Sequence, residues 1–223
     1  MVAGRQPGTH ASDPSCGSPG RSTTIRDRVV SAKVPNRVAW TVDLLDVQPD
    51  DVILEFGCGP GVAANLVAAR LVGGHGRLLA VDRSRVAVDR TRARNAGHID
   101  AGRMVVERLA LADLDVGRHQ FDKAFGINVN VFWTSTAAPE LAVLAWVMRP
   151  AGTLYLAYER THDGSAREVA PGIAGRLERH GFAPEVVRNG GGRIVCVIGR
   201  SAGSPGGRAG RAGSCVPRPG GRP

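Results

Sequence analysis

A chain of 223 residues with 29 Lys and Arg against 20 Asp and Glu carries a formal charge of +9, which biases its surface toward anionic surroundings. With 43% apolar and 22% charged residues, the composition is that of an ordinary globular protein with enough chain for one buried core, and it excludes wholesale disorder. The longest apolar run, 141–158, is cut by Arg149-Pro150, so no segment reaches the roughly 18 uncharged residues of a membrane helix. Both ends are rich in Gly, Pro and Ser without hydrophobic periodicity. Residues 1–22 and 201–223 are therefore expected to be disordered tails flanking a domain at 23–200. The second tail holds Arg208, Arg211, Arg218 and Arg222 and no acid, a charge that attracts phosphate polymers without sequence preference.

Within the domain, apolar runs alternate with helical periodicity, the pattern of an α/β fold with a mainly parallel sheet. Helices are expected at 25–33 and at 36–45, the second with Val38, Val42 and Leu45 on one face. A turn at Gln48-Pro49-Asp50-Asp51 leads into a buried strand at 52–56, the loop Gly57-Cys58-Gly59-Pro60-Gly61 and a helix at 62–71. A second strand at 78–81 ends at Asp82, and Ser84 caps a helix running to about Asn95. Strands are expected at 104–107 and 123–127, then a helix at 140–148 stopped by Arg149-Pro150-Ala151-Gly152, then a strand at 153–158. The helical stretch 165–180 is expected to break at Pro171-Gly172. Two short apolar runs, 185–188 and 194–198, joined through Gly190-Gly191-Gly192, read as an antiparallel hairpin.

Cys16, Cys58, Cys196 and Cys215 have no short spacing, so neither a metal site nor a disulfide framework is expected. Four separate thiols and no apolar leader in the first 21 residues fit a cytoplasmic protein with no membrane partner.

The segment Glu55-Phe56-Gly57-Cys58-Gly59-Pro60-Gly61 carries the most chemistry. A strand, a glycine turn and a helix N-terminus let the backbone approach a nucleotide closely. The dinucleotide spacing G-x-G-x-x-G is not met, because the last glycine comes one place early and Val62 holds the sixth position. An acid at Glu55 also sits poorly beside a pyrophosphate and suits a ligand with a cationic part. S-adenosylmethionine is such a ligand, with an ammonium, a sulfonium and no phosphate. At the end of the second strand, Asp82 is placed to accept both ribose hydroxyls.

These segments together resemble class I S-adenosylmethionine-dependent methyltransferases, of the small single-domain bacterial kind. The resemblance runs through 52–62, Ala80-Val81-Asp82-Arg83-Ser84, 121–128, 147–154 and the closing hairpin. It implies a Rossmann-like, doubly wound, seven-stranded sheet of order 3-2-1-4-5-7-6, with strand 7 antiparallel and helices on both faces. It also implies an S-adenosyl-L-methionine site. Gly57, Cys58, Gly59 and Gly61 would wrap the methionine portion, oriented by Glu55. Asp82 would hold the ribose, Arg83 would lie along the adenine, and Asn128 would face the methyl group. The acid that similar enzymes place near the adenine amino group falls on Ala110 here, leaving Asp113 or the backbone of Leu111 for that role.

Methyl transfer from a sulfonium needs positioning more than proton transfer, and no catalytic dyad stands out. The acceptor mouth is expected beyond strands four and five, with Arg37, Trp40 and Trp133 binding the acceptor. Phe132 and Glu159 lie nearby, and Asn130, Tyr158 and His162 are the candidates for catalysis. The strand-four end, Asn128-Val129-Asn130-Val131, lacks the Pro-Pro-aromatic pattern of enzymes that methylate base amines, so a small-molecule acceptor is favoured. An RNA or protein substrate recruited by the Arg-rich tail is the first alternative, and a non-catalytic nucleotide-binding module is the second.

Overall fold

The computed structural model describes residues 34–159 and 166–201, with the backbone alone for 166–168. The helix expected at 25–33 and both expected tails, apart from Ser201, lie outside the described residues. β1 (Val52–Phe56), β2 (Arg77–Val81), β3 (Met104–Glu107), β4 (Phe121–Ile127), β5 (Met148–Glu159), β6 (Phe182–Arg188) and β7 (Ile194–Ser201) form one sheet of order β3-β2-β1-β4-β5-β7-β6. β1 to β5 pair in parallel, whereas β7 is antiparallel to both β5 and β6. The order and direction implied by the resemblance hold in full.

Each central strand is buried on both sides, so Ile53, Leu54, Phe56, Leu78, Leu79, Ala80 and Val81 form near-continuous apolar runs. Alternation divides them between two cores. On one face, Ile53, Leu78 and Ala80 pack with Val38, Val42 and Leu45 from around α1 (Asn36–Leu44), Ala64 and Val67 of α2 (Val62–Arg70), and Val88 of α3 (Arg85–Arg94). On the other, Leu54, Phe56 and Leu156 pack with Phe132 of α5 (Val131–Thr134), Leu141 and Leu144 of α6 (Ala138–Val147), and Ile173 and Leu177 of α7 (Ala166–Arg179). A short helix α4 (Ala96–Asp100) and a 3-10 turn (Leu111–Asp113) complete the connections. No described helix is long and apolar enough to cross a membrane.

Two expected breaks are absorbed by the fold. The stop at Arg149-Pro150-Ala151-Gly152 is an irregularity inside β5. Phe121 pairs with Met148 and Lys123 with Thr153, so the excess β5 residues bulge, with Ala151 at φ 63°. Arg149 fixes the bulge through its guanidinium on both Asp122 oxygens, at 2.5 and 2.6 Å. Helix α7 runs through Pro171 without ending. The burial of Ala170, Ile173 and Leu177 on one helical face offsets the cost of about 3 kcal/mol that an interior proline imposes.

Candidate active site

The loop after β1 is drawn down onto the end of β2. The amides of Gly57 and Cys58 both donate to the Val81 carbonyl, at 2.8 and 3.2 Å. Gly57, Gly59 and Gly61 all have left-handed backbone, with φ of 67°, 53° and 73°, a region side chains other than glycine occupy only at a cost. Their surroundings differ. A Cβ on Gly57 would lie 2.8 Å from Val129 Cγ2, and one on Gly61 would lie 2.7 to 2.8 Å from Asn95 and Thr91. A Cβ on Gly59 would meet nothing within 4 Å. Of the three, only Gly59 faces open space, which is where a ligand can approach the loop.

Asp82 joins the loops that follow β1 and β2. Its Oδ2 accepts the Gly59 amide at 3.0 Å and its Oδ1 accepts the Ser84 amide at 2.9 Å. A carboxylate has about four acceptor positions, so capacity remains for hydroxyl donors from outside. Ser84 also caps α3, accepting from the Ala87 amide, as its position in the sequence led one to expect.

Glu55 lies beneath this loop, 4% exposed, and its Oε2 has no hydrogen-bond partner. Burial, and then the charge of Asp82, hold its carboxyl well above the ordinary carboxylate range. An orphaned buried carboxylate oxygen calls for a donor. A ligand bringing an ammonium to this point would supply the donor and favour the ionised acid. A pyrophosphate beside two carboxyl groups would be repelled. The residues present thus fit the S-adenosylmethionine chemistry read from the sequence. Cys58 is 4% exposed, and burial pushes its thiol up to about 12, so it is no nucleophile at neutral pH.

The loop has a set of partners that sequence reasoning missed. On α3 and at its C-cap, Thr91 and Asn95 are buried polar residues, 0% and 1% exposed. Thr91 Oγ1 donates to the Gly59 carbonyl at 2.9 Å, Arg94 Nε to that of Pro60 at 2.8 Å, and Asn95 Nδ2 to that of Gly61 at 3.1 Å. Their spacing along α3 places them on neighbouring positions of a helical surface. That spacing was the available signal, but it lay within an Arg-rich helix that reads as solvated.

At the expected adenine end, Arg83 is exposed and its carbonyl accepts from Arg108. Ala110 precedes the 3-10 turn, in which Leu111 is buried and Asp113 is exposed. At the expected acceptor end, Asn128 has φ 57°, its amide donates to the Ala157 carbonyl, and its Oδ1 accepts from the Glu159 amide at 3.0 Å. Arg37, from α1, reaches across the chain to Glu159 Oε2 at 2.9 Å. Trp40 is half-buried against the α1–α3 core, Phe132 is buried against Phe56, and Trp133 is 41% exposed. The Asn130 carbonyl accepts from the Trp133 and Thr134 amides, which starts α5. Tyr158 is buried, and its hydroxyl donates to the Val129 carbonyl at 2.9 Å. Burial raises the pKa of that hydroxyl further above its ordinary value. His162 lies outside the described residues. No group of three His, Cys, Asp or Glu that could hold a metal occurs among the described residues.

A doubly wound sheet with this strand order, a glycine turn after β1 and an acid ending β2 defines a Rossmann-like cofactor-binding domain. A family model described as a methyltransferase domain matches residues 53–152, so the chain carries a class I S-adenosylmethionine-dependent methyltransferase domain. Its cofactor is S-adenosyl-L-methionine. A methyltransferase from Aquifex aeolicus described as SAM-dependent is similar at 17% identity and TM-score 0.62, over 73% of this chain and 88% of that one. Geranyl diphosphate C-methyltransferase from Streptomyces coelicolor A3(2) is similar at 11% identity and TM-score 0.57, over 74% and 78%. The cyclase SpnF is similar at 13% identity and TM-score 0.61, over 74% and 81%. Identities this low speak for the fold alone. No curated protein matches the chain.

Proposed function

We propose that this methyltransferase acts on a small-molecule acceptor by in-line displacement, with Glu55, the loop 57–61, Asp82 and Asn128 positioning the donor. When bound, the cofactor supplies a methyl group already activated on a sulfonium. The observation that carries the reading is the unpartnered buried oxygen of Glu55 under a loop whose open side is at Gly59. Glu55 then neutralises and orients a cationic ligand. The two oxygens of Asp82, already aligned by the Gly59 and Ser84 amides, receive hydroxyls. Arg83 and the backbone at Leu111 border the adenine, with Ala110 and Asp113 beside them.

For the acceptor, the support is the Arg37–Glu159 pair at the end of β5, next to Asn128, which follows β4. A cation and an anion held at one mouth orient a compact polar molecule through a few directed contacts, with Trp40 and Trp133 on the flanking helices. Proton removal is left to the acceptor's own acidity or to solvent. The hydroxyl of Tyr158 is committed to Val129, and the side chain of Asn130 is a neutral amide. Catalysis on this reading is alignment and exclusion of water.

Labelled S-adenosylmethionine offered with fractionated cell extract tests the proposal, with the product identified by mass. Label entering the small-molecule fraction, and unchanged after deletion of 202–223, is expected. Label confined to RNA or protein and lost with that deletion would establish the polymer reading instead. The likeness to a cyclase shows that one fold hosts several chemistries. Binding of S-adenosylhomocysteine without any transfer would favour a non-catalytic module.

A further inference from the structure

Three consecutive carbonyls of the glycine loop, those of Gly59, Pro60 and Gly61, are each captured by a different side chain of α3: Thr91, Arg94 and Asn95. The capture is close-packed. The Gly61 position leaves no room for a Cβ because the Thr91 backbone would lie 2.8 Å away. Both amide protons of Asn95 are used. Its Nδ2 also donates to the Thr91 carbonyl at 2.8 Å, and its Oδ1 accepts from Asn65 Nδ2 of α2 at 3.0 Å. The single Thr91 hydroxyl proton is used on Gly59, so the Cys58 thiol at 3.5 Å is the donor to Thr91 Oγ1. Burial keeps that thiol in its neutral form inside the network.

The Gly59 N–H shares its peptide plane with the Cys58 carbonyl, which accepts from the Gly61 amide at 3.0 Å and so closes the turn. With the next three carbonyls held by Thr91, Arg94 and Asn95, the backbone of this turn is fixed, and the Gly59 amide within it donates to Asp82. Asp82 lies three residues before the start of α3. Movement of this helix would therefore move the ribose acid and the loop together.

We propose that Thr91, Arg94 and Asn95 are positioning residues for the cofactor: they act through the backbone of 59–61 and keep the methionine and ribose subsites in one fixed relation. The proposal rests on the site reading above. Pre-setting a loop removes ordering cost from the binding step, so loosening it weakens the cofactor's affinity while the reaction after binding is left alone.

The test is calorimetry with S-adenosylhomocysteine, together with amide hydrogen exchange of 57–61 in the ligand-free protein. Thr91→Val keeps the shape and removes the donor. It is expected to weaken binding roughly tenfold and to speed exchange of the loop amides, with turnover at saturating cofactor within about twofold of wild type. Thr91→Ser restores the donor and is expected to recover most of the affinity, a rescue that packing alone does not give. Arg94→Ala removes an exposed side chain, so it folds even if the buried variant does not. It is expected to weaken binding about two- to threefold and to speed exchange near Pro60. Unchanged affinity and exchange in Arg94→Ala and in any folded Thr91→Val would overturn the clamp while wild-type binding upholds the site. If wild type itself does not bind S-adenosylhomocysteine, the site reading and the clamp fall together.

Discussion

At the cofactor end of the site the working surface is mostly backbone. Gly57, Cys58 and Gly59 donate their amides inward to Val81 and Asp82, and α3 holds the carbonyls from behind. At the proposed acceptor end it is side chain, half-buried or exposed: Arg37 against Glu159, Asn128 across the strand ends, and Trp133 open to solvent. Backbone geometry is dictated by glycine spacing and by strand ends, so the first region has one solution for a given fold. Exposed side chains can be exchanged without disturbing the sheet, so the second is where a common scaffold is fitted to different acceptors.

The sharpest way to break this contrast is within the glycine loop itself. Gly59→Arg is expected to abolish binding of S-adenosylhomocysteine, at least ~100-fold by calorimetry, because its side chain enters the open side of the loop. Thermal stability is expected to fall only by the roughly 1–2 kcal/mol of a side chain at positive φ. Gly61→Ala is expected to cost more stability and to weaken binding less, by roughly the tenfold of a loosened clamp. Its Cβ would press on Thr91 and Asn95, adding an overpacking cost of about 1–3 kcal/mol to the strain, while the face toward the ligand is unchanged. If Gly59→Arg binds normally, the open side has been assigned to the wrong residue.

A smaller effect is expected from Glu55→Gln. The carboxyl of Glu55 is raised in the folded protein above its ordinary 4.5, so the folded state holds that proton more tightly than the unfolded chain. The resulting stability is fully present below pH 4.5 and is lost as pH rises toward the folded value. Glu55→Gln should flatten that decline and leave the ligand-free protein more stable in mildly alkaline buffer. A cationic ligand favours the ionised acid, so wild type should release a proton on binding S-adenosylhomocysteine, and the variant should not and should bind roughly tenfold more weakly. Calorimetry in two buffers of different ionisation enthalpy reads this directly. Binding with no proton released would remove Glu55 from contact with the ligand's charge.

Tyr158→Phe is expected to cost about 1 kcal/mol of stability, from the lost bond to the Val129 carbonyl, and to change turnover by less than about twofold. A roughly hundredfold slower turnover would instead place the hydroxyl in proton transfer.

The same division governs what could be seen in the sequence. The strands, the loop and Asp82 were legible because apolar runs, glycines and a strand-end acid leave marks in the sequence, and the strand order followed only from the family resemblance those marks carry. Thr91 and Asn95 were not. They look like surface polar residues on a helix that otherwise carries Arg85, Arg90, Arg92 and Arg94, and the glycine loop and Asn65 packed against them make them buried. Residues 131–134 form a single turn of helix, α5, too short to show a period. Arg149 and Pro150 signalled the end of an element, whereas pairing with β4 and the Arg149–Asp122 contact carry the strand through them. Pro171 was overridden by burial of the helix face around it, a tertiary effect that local propensity does not contain.

The smallest effect on stability, and the one that bears most on the acceptor, is expected at Arg37 and Glu159. Their side chains are 37% and 33% exposed, so the pair is screened by water and salt and is worth under about 1 kcal/mol to folding. Arg37→Met and Glu159→Gln should therefore leave thermal stability nearly untouched, and the affinity for S-adenosylhomocysteine within about twofold. Each should raise KM for the acceptor found by the extract screen, roughly tenfold for whichever partner touches it. A double-mutant cycle separates touching from mutual positioning. If Arg37 only holds Glu159 in place, the double variant is no worse than Glu159→Gln alone; if both bind the acceptor, the losses add. Should either variant weaken cofactor binding as much as acceptor binding, the two ends of the site are not independent, and α1 belongs to the cofactor's enclosure as well as to the acceptor's mouth.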